Sequence, residues 1–209
     1  ASSCAQQAGN DMQARVDEYA PVEMSSPLME GLDSSDRQVL DLLKKAADIM
    51  DDLFWKQTFG DRDAMENLGD RAMKEFAMIN YGPWDRLEDN SPFVPGYGEK
   101  PLGANYYPAD MTAEEWEAFT DPDKSSPYTV IRRDGDGNLK CVWYRDEYRE
   151  ELELVCGYLE EAAAITGNDG LRNYLTRRAE AFRTDEYFES DLAWMDMKDS
   201  KIDVVIGPI

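Results

Sequence analysis

Apolar residues recur every three or four positions over several long stretches of the chain, which is the spacing of amphipathic α-helices. The clearest stretch follows the N-cap sequence Asp33-Ser34-Ser35-Asp36 and ends near Phe59-Gly60. Its apolar positions are Val39, Leu40, Leu42, Leu43, Ala46, Ala47, Ile49, Met50, Leu53 and Phe54. A second helix is predicted from about Asp61 to Ile79, although Gly69 weakens its middle by about 1 kcal/mol relative to alanine.

Helical spacing returns in the second half of the chain. Thr112-Ala113-Glu114-Glu115 is a capping box that opens a short helix through Phe119. Three longer helices are predicted next, and Gly167-Asn168 stops the first of them. They begin at about Asp146, near Leu171 and after Thr184, and their last apolar residues are Ala163, Phe182 and Trp194.

Two runs rich in β-branched and aromatic residues, 128–132 and 139–144, flank Asp134-Gly135-Asp136-Gly137-Asn138 and predict a β-hairpin. The turn resembles the opening of a calcium loop. However, Leu139 stands where such a loop needs glycine, and Arg145 where it needs a bidentate glutamate, so we predict a turn. Ile202–Ile206 is predicted as a terminal strand. The fold class is therefore α+β and mostly α-helical, with one hairpin and a terminal strand.

The stretch Ile79–Asp110 differs from both arms, because it holds four of the fourteen glycines and five of the ten prolines. Neither a long helix nor a central strand can run through it. It also carries six aromatic residues, which are Tyr81, Trp84, Phe93, Tyr97, Tyr106 and Tyr107. Solvated linkers are poor in such residues, so we predict an ordered, irregular loop and the first place to look for function.

Two interpretations of this aromatic loop (residues 79–110) stay open. Its rings either line a ligand groove or pin the loop to the core, and pinning is the more frequent arrangement. The amides of Asn80 and Asn105 offer both donors and acceptors to a peptide, but each can equally cap a turn. A glycosidase would need two converging carboxylates, and the separation of Asp85 and Asp110 cannot be read from the sequence.

Composition narrows the classes of function. The chain has 44 acidic and 22 basic side chains, giving a net charge of −22 that disfavours nucleic acid and anionic membranes as partners. There is no histidine, the commonest general base and zinc ligand, and the three cysteines form no CxxC pair. We therefore predict neither a self-contained zinc site nor a Cys–His nucleophile. No apolar run approaches the length of a membrane span.

The first residues, Ala1-Ser2-Ser3-Cys4, resemble the end of a bacterial lipoprotein signal, which makes Cys4 a candidate for lipidation. Residues 1–31 are then a flexible arm or lipoprotein tether, and the protein faces the periplasm from the cell envelope. The alternative is an incidental cysteine in a cytoplasmic protein.

The aromatic loop also carries a family resemblance. Asn80-Tyr81-Gly82-Pro83-Trp84-Asp85, followed by Pro92-Phe93-Val94-Pro95-Gly96, resembles a segment of the dipeptidyl peptidase III family. The run continuing through Pro101–Pro108 resembles the family's bacterial branch more closely. Residues 155–194 resemble the helices that precede the catalytic cleft, and 206–209 resemble the strand leading into a Glu-Ser/Thr-Tyr motif.

This resemblance implies a two-lobed zinc peptidase that removes dipeptides from peptide N-termini. Residues 32–209 are then the N-terminal region of its lower lobe, an incomplete part whose sheet is finished by the remainder of its own chain. The family's zinc motif, His-Glu-x-x-Gly-His, does not occur here, so this chain is expected to bind no cofactor and to be inactive alone. The candidates to border the peptide substrate are Asn80, Tyr81, Trp84, Asn105 and Tyr106.

A second hypothesis belongs to another class. The chain is then a free-standing, acidic, helical lipoprotein domain that binds a peptide or protein partner through the aromatic loop. This hypothesis predicts a natural stop codon after Ile209 and cooperative thermal unfolding of the chain alone, whereas the first predicts an open reading frame and poor stability in isolation.

Overall fold

The computed structural model describes residues 11–23 and 26–208, without the side chains of Ser26 and Leu28. Two compact units make up the chain. Of the described residues, unit 1 comprises 11–23 and 54–110, and unit 2 comprises 26–53 and 111–208. Cys4, the predicted lipidation site, lies outside the described residues. Among the described helices, none is long and apolar enough to cross a membrane.

The first predicted helix is confirmed as α1, Ser34–Thr58. Asp33 caps it, because its Oδ1 accepts hydrogen bonds from the backbone N–H groups of Ser35 and Asp36, both at 2.9 Å. Gly60 ends it with a φ of +95° and an N–H that donates to the carbonyl of Trp55 over 2.9 Å. The helix belongs to unit 2 up to Leu53 and to unit 1 from Phe54 onward.

The second predicted helix is two helices, α2 (Arg62–Glu66) and α3 (Arg71–Asn80). The prediction of one continuous helix was wrong because the chain carries a second start signal after Gly69. The Oδ1 of Asp70 accepts a hydrogen bond from the N–H of Met73 over 2.8 Å, which begins a new helix at a position that a continuous helix would place in its interior.

Unit 1 has a small hydrophobic core. Its buried members are Trp55, Met65, Ala77 and Val94. Residues 11–16 are helical and belong to this unit, where Val16 is buried and Arg15 pairs with Asp85 over 2.5 Å. The aromatic loop contributes the two-residue strands β1 (Trp84–Asp85) and β2 (Ser91–Pro92), which pair antiparallel.

Unit 2 is built mainly from helices. The predicted capping box is present at α4 (Ala113–Ala118), with Thr112 and Glu115 hydrogen-bonding each other's backbone N–H. The predicted hairpin is β3 (Thr129–Arg133) paired antiparallel with β4 (Leu139–Trp143), and Asp134 Oδ1 holds its turn by accepting from the N–H of Asp136 and Asn138. Four helices follow: α5 (Tyr144–Glu147), α6 (Arg149–Ile165), α7 (Asp169–Thr184) and α8 (Phe188–Asp196).

The predicted terminal strand is not formed. Within the described residues, the sheets are the pairs β1–β2 and β3–β4, and 202–206 belong to neither. Ile202 and Ile206 are buried, and the backbone N–H of Ile206 donates to the hydroxyl of Tyr174 over 3.2 Å. The apolar side chains of this segment therefore serve helix packing within unit 2, while the α+β, mostly helical class is confirmed.

Candidate functional site

The aromatic loop folds around a groove of about 800 Å³ within unit 1. The groove has two walls. Residues 89–92 form the first wall, and residues between 99 and 107 form the second. The lining residues are Asp89, Asn90, Ser91, Pro92, Glu99, Lys100, Pro101, Leu102, Gly103, Ala104, Tyr106 and Tyr107. All of them lie in the stretch that the sequence singles out as the first place to look for function.

Asn105 anchors the second wall to the end of α1. Its backbone N–H donates to the carbonyl of Gln57 over 3.0 Å, and its Nδ2 donates to the carbonyl of Lys56 over 2.8 Å. The last carbonyls of a helix lack partners inside the helix, so Asn105 satisfies two groups that otherwise face only water. A Cβ at Gly60 would lie 2.5 Å from Asn105 Nδ2, so this close approach requires the glycine.

Trp84 fixes the middle of the loop. Its ring is buried against Phe59 at a centroid distance of 5.4 Å, and its Nε1 donates to the carbonyl of Gly98 over 2.9 Å. Lys100 extends above the same ring, with Nζ 6.0 Å from the ring centroid. The tryptophan is thus both a support for the loop backbone and a surface beneath the lysine.

A tight turn positions Tyr106 and Tyr107 in the second wall of the groove. The N–H groups of Ala104 and Tyr106 donate to the carbonyls of Pro101 and Gly103 over 3.0 and 2.9 Å. The hydroxyl of Tyr107 donates to the carbonyl of Leu102 over 3.3 Å. A Cβ on Gly103 would lie 2.0 Å from Cζ of Tyr107, so the ring lies against the bare backbone of this glycine.

Three non-glycine residues that line the groove adopt left-handed backbone conformations. The φ angles are +51° at Asp89, +59° at Asn90 and +45° at Ala104. Aspartate and asparagine tolerate this region, whereas alanine adopts it at a cost. Strained backbone of this kind tends to cluster where a protein binds ligands, which marks the groove as a candidate site.

Burial changes the proton affinity of two groups at the groove. The pKa of Lys100 is lowered, first by burial of the ammonium group and second by repulsion from the charge of Arg86. The pKa of Tyr106 is raised by burial, so its phenol stays protonated and able to donate a hydrogen bond. The groove therefore presents a hydroxyl donor and a cation whose charge is poorly solvated.

Of the five residues predicted to border a peptide, Tyr106 lines the groove. Asn105 and Trp84 hold the loop from behind, through the hydrogen bonds to α1 and to Gly98. Asn80 is buried, its Nδ2 donating to the carbonyl of Phe76 and its Oδ1 accepting from the N–H of Arg86, both at 3.0 Å. Tyr81 ends α3 with a φ of +56°, and its ring packs edge-on against Phe54 at 4.8 Å. These contacts agree with one of the two interpretations left open above, in which the rings pin the aromatic loop to the core.

Sequence reasoning missed Lys100 as a groove residue. A usable signal was present, because the loop carries five acidic residues and only two basic ones, Arg86 and Lys100. Asp85, which the sequence offered as a cleft carboxylate, instead pairs with Arg15 and accepts a hydrogen bond from the N–H of Leu87.

The residues that the structure describes do not suit a metal. Over residues 11–23 and 26–208, no group of three or more His, Cys, Asp or Glu side chains is placed to hold an ion. With no histidine in the whole sequence, the donor set does not fit a zinc centre of the peptidase type.

Comparison with known proteins gives two structural neighbours. The fold is similar to that of dipeptidyl peptidase III from Caldithrix abyssi, with a TM-score of 0.84 and 39% identity over 95% of this chain and 39% of that one. It is also similar to dipeptidyl-peptidase III from Corallococcus sp. strain EGB, with a TM-score of 0.79 and 32% identity over 91% of this chain and 37% of that one. No protein-family model matches the sequence.

A curated relative carries a different name. Nudix hydrolase 3 of Arabidopsis thaliana is 30% identical over an alignment 260 positions long, which covers 94% of this chain and 33% of that protein. The chain thus spans a third to two fifths of the proteins it matches. Because only a third of the plant protein is shared, its name need not describe the shared region. The fold is that of part of a dipeptidyl peptidase III-like protein.

Proposed function

We propose that this chain is the N-terminal region of a zinc-dependent dipeptidyl peptidase of the bacterial branch, forming part of the enzyme's lower lobe. The parent enzyme removes dipeptides from the N-termini of peptides, and the chain alone is not catalytic. The observation that carries the proposal is the similarity to dipeptidyl peptidase III from Caldithrix abyssi, with a TM-score of 0.84 and 39% identity over 95% of this chain.

The metal belongs to a different part of the proposed enzyme. Under this proposal zinc is bound by the remainder of the parent enzyme, since this sequence has no histidine and the described residues hold no group of three or more His, Cys, Asp or Glu side chains placed for an ion. When bound there, zinc polarises the scissile carbonyl and activates water. The contribution of this chain is then to shape one side of the peptide cleft and to orient the substrate.

The aromatic loop is the part of the chain best suited to contact peptide. Its groove has open volume, a phenol donor at Tyr106, an apolar side chain at Leu102 that is 98% exposed, and several backbone amides held by tight turns. Asn80, Tyr81, Trp84 and Asn105 act behind this surface, because their hydrogen bonds and ring contacts are made within unit 1.

Lipid attachment at Cys4, with the enzyme facing the periplasm, is a separate part of the proposal and rests on the sequence Ala1-Ser2-Ser3-Cys4. Metabolic labelling with a radioactive fatty acid tests it. We expect label in the wild-type protein and none in Cys4→Ser. Equal labelling of the two proteins contradicts lipidation at this residue.

The enzymatic proposal is tested on the full-length parent polypeptide. A peptide substrate bearing a chromogenic group after its second residue should release a dipeptide and the chromophore. Activity should be lost on treatment with a zinc chelator and return on addition of zinc. The isolated chain of 209 residues, assayed in parallel with zinc, serves as the matched inactive control.

Two outcomes overturn the proposal. In the first, the folded, zinc-loaded parent releases no dipeptide from any of a panel of short peptides. In the second, the codon after Ile209 in the native gene is a stop and the chain unfolds cooperatively by itself. That second result favours the free-standing, peptide-binding lipoprotein domain instead.

A further inference from the structure

We propose that the groove of unit 1 binds the carboxylate of a peptide, with Lys100 Nζ as its direct partner and Arg86, outside the groove lining, adding to the positive potential at the lysine. This inference concerns binding by the chain itself. It does not require the parent protein to be a peptidase.

Among the described residues, Lys100 is partly buried and has no counter-ion, whereas the other lysines without an ion pair or hydrogen bond are exposed. With 44 acidic against 22 basic side chains, a lysine has many potential partners. Yet among residues 11–23 and 26–208, Nζ of Lys100 lies within ion-pair distance of no carboxylate and forms no hydrogen bond. It lies instead over the Trp84 ring, 6.0 Å from the centroid. A partly desolvated ammonium group without a counter-ion is costly to maintain, and an anionic ligand removes that cost.

Arg86 strengthens the local positive potential. Its guanidinium carbon lies 5.3 Å from the ring centroid of Tyr81 and 6.0 Å from that of Phe54, and its Nη2 donates to the carbonyl of Ile79. In the described part of the chain it too forms no ion pair. Its charge repels that of Lys100 and contributes to the lowered pKa of the lysine. An anion bound at Lys100 offsets this repulsion.

The surroundings favour a carboxylate over a phosphate. Asp89 and Glu99 also line the groove, and both are exposed. A phosphate carries nearly two negative charges at neutral pH and is repelled by these carboxylates more strongly than a singly charged group is. The repulsion is weaker for a singly charged carboxylate, so the groove favours a carboxylate over a phosphate.

The remaining walls favour a peptide. Leu102 and Tyr107 offer apolar surface, while Tyr106 offers a phenol donor. The turn hydrogen bonds donated by the backbone N–H groups of Asn90, Ala104 and Tyr106 hold these walls in place before any ligand arrives, which lowers the cost of ordering on binding. A short, extended chain with a free carboxylate fits a groove of about 800 Å³ with this mixed lining.

The experiment uses three peptides with the purified full-length parent protein, kept free of zinc by a chelator so that no peptide is cleaved during the measurement. The probes are Ala-Ala-Phe-Ala with a free C-terminus, the same peptide as its C-terminal amide, and a blocked peptide whose only carboxylate is a glutamate side chain. Affinity is measured by calorimetry at low ionic strength. In parallel, the Cε resonance of Lys100 is followed with pH by NMR, because a bound carboxylate raises the pKa of a lysine that it contacts directly.

We expect at least one carboxylate peptide to bind and the amide of Ala-Ala-Phe-Ala to bind less tightly or not at all. The free-acid and blocked glutamate probes distinguish a main-chain from a side-chain carboxylate as the source. Lys100→Met, which keeps the hydrocarbon stem over Trp84, should weaken binding about tenfold. Lys74→Met is the matched control, since Lys74 is an exposed lysine of the same unit. It should leave affinity unchanged.

Four results overturn the inference. One is the absence of binding by either carboxylate peptide. Another is an equal loss of affinity in Lys100→Met and Lys74→Met, which indicates only a general charge effect. The third is a Lys100 pKa that does not rise when peptide is bound. Competition by inorganic phosphate at the same concentration as the peptide also contradicts it, because the site is then selective for anions and not for peptide carboxylates.

Discussion

Arg178 Nη2 donates a hydrogen bond to Asp191 Oδ1 over 2.6 Å, which connects α7 to α8. The arginine side chain is 7% exposed, whereas that of Asp191 is 59% exposed. The guanidinium carbon also lies 5.4 Å and 5.2 Å from the ring centroids of Tyr174 and Tyr187. Two rings and one carboxylate therefore hold a cation that is almost withdrawn from solvent.

Removing this cation should destabilise unit 2. We expect Arg178→Ala to lower the free energy of unfolding by about 3 kcal/mol, because packing over two rings is lost along with the ion pair. Arg177→Ala is the control, since Arg177 is an exposed neighbour in a surface pair with Glu180, and it should change stability by about 0.5 kcal/mol at most. Urea unfolding followed by circular dichroism measures both. Similar values for the two variants contradict a structural role of Arg178.

We expect Trp84 to contribute more to the stability of the aromatic loop than to its affinity for a peptide. We expect Trp84→Ala to cost about 3–5 kcal/mol, since a buried ring is removed, and Trp84→Phe to cost less because a ring is retained. Thermal unfolding and peptide affinity are measured on the same samples. If Trp84→Ala changes only peptide affinity and leaves the melting temperature alone, the ring is a binding surface and not a support.

Gly103 should control the shape of the groove. Alanine there places a Cβ 2.0 Å from Cζ of Tyr107, so the tyrosine ring must move away from the wall. Because Tyr107 is already 36% exposed, we expect stability to fall by about 1 kcal/mol or less while peptide affinity falls several-fold. Gly98→Ala is the matched control, because a Cβ at Gly98 meets no atom within 4 Å. Equal affinities of the two variants contradict a role for the Tyr107 wall.

Asp185 should make stability depend on pH in an unusual direction. Its carboxylate is buried, Oδ2 accepts from the N–H of Arg145 over 3.0 Å, and burial raises its pKa above the ordinary value of 3.8. Repulsion from Asp146 acts in the same direction as burial, while Arg145 opposes it. The folded protein therefore holds this proton more tightly than the unfolded chain does, and the associated stability is lost as pH rises through the raised pKa.

The measurement compares wild type with Asp185→Asn, which resembles the protonated acid. We expect the difference in unfolding free energy to be most favourable to wild type at acidic pH, below the raised pKa, and to fall as pH increases toward neutrality. Glu186→Gln, at the exposed adjacent position, should show no such trend. A difference that grows in favour of wild type with rising pH would mean that folding lowers the pKa of Asp185 instead of raising it.

The sequence by itself determined the elements whose signals are local. Helix α1 with its Asp33 cap, the Thr112–Glu115 capping box and the Asp134–Asn138 hairpin turn all follow from contacts between residues less than five positions apart, and each is present. The signal for the break between α2 and α3 was also local, since Asp70 supplies the cap. The prediction of one continuous helix relied instead on the apolar spacing on either side of that break. The aromatic loop was recognised as ordered from its composition.

Only the tertiary structure decided what the individual loop residues do. Asn105 caps α1 by reaching Lys56, which is 49 positions away, so no local pattern shows whether its amide faces a ligand or a helix end. The segment 202–206 has the composition of a strand but packs on helices, because Tyr174 takes the hydrogen bond of Ile206. The sequence marks Lys100 as one of two basic residues in the loop, but its burial above Trp84 and its repulsion by Arg86 exist only once the chain has folded.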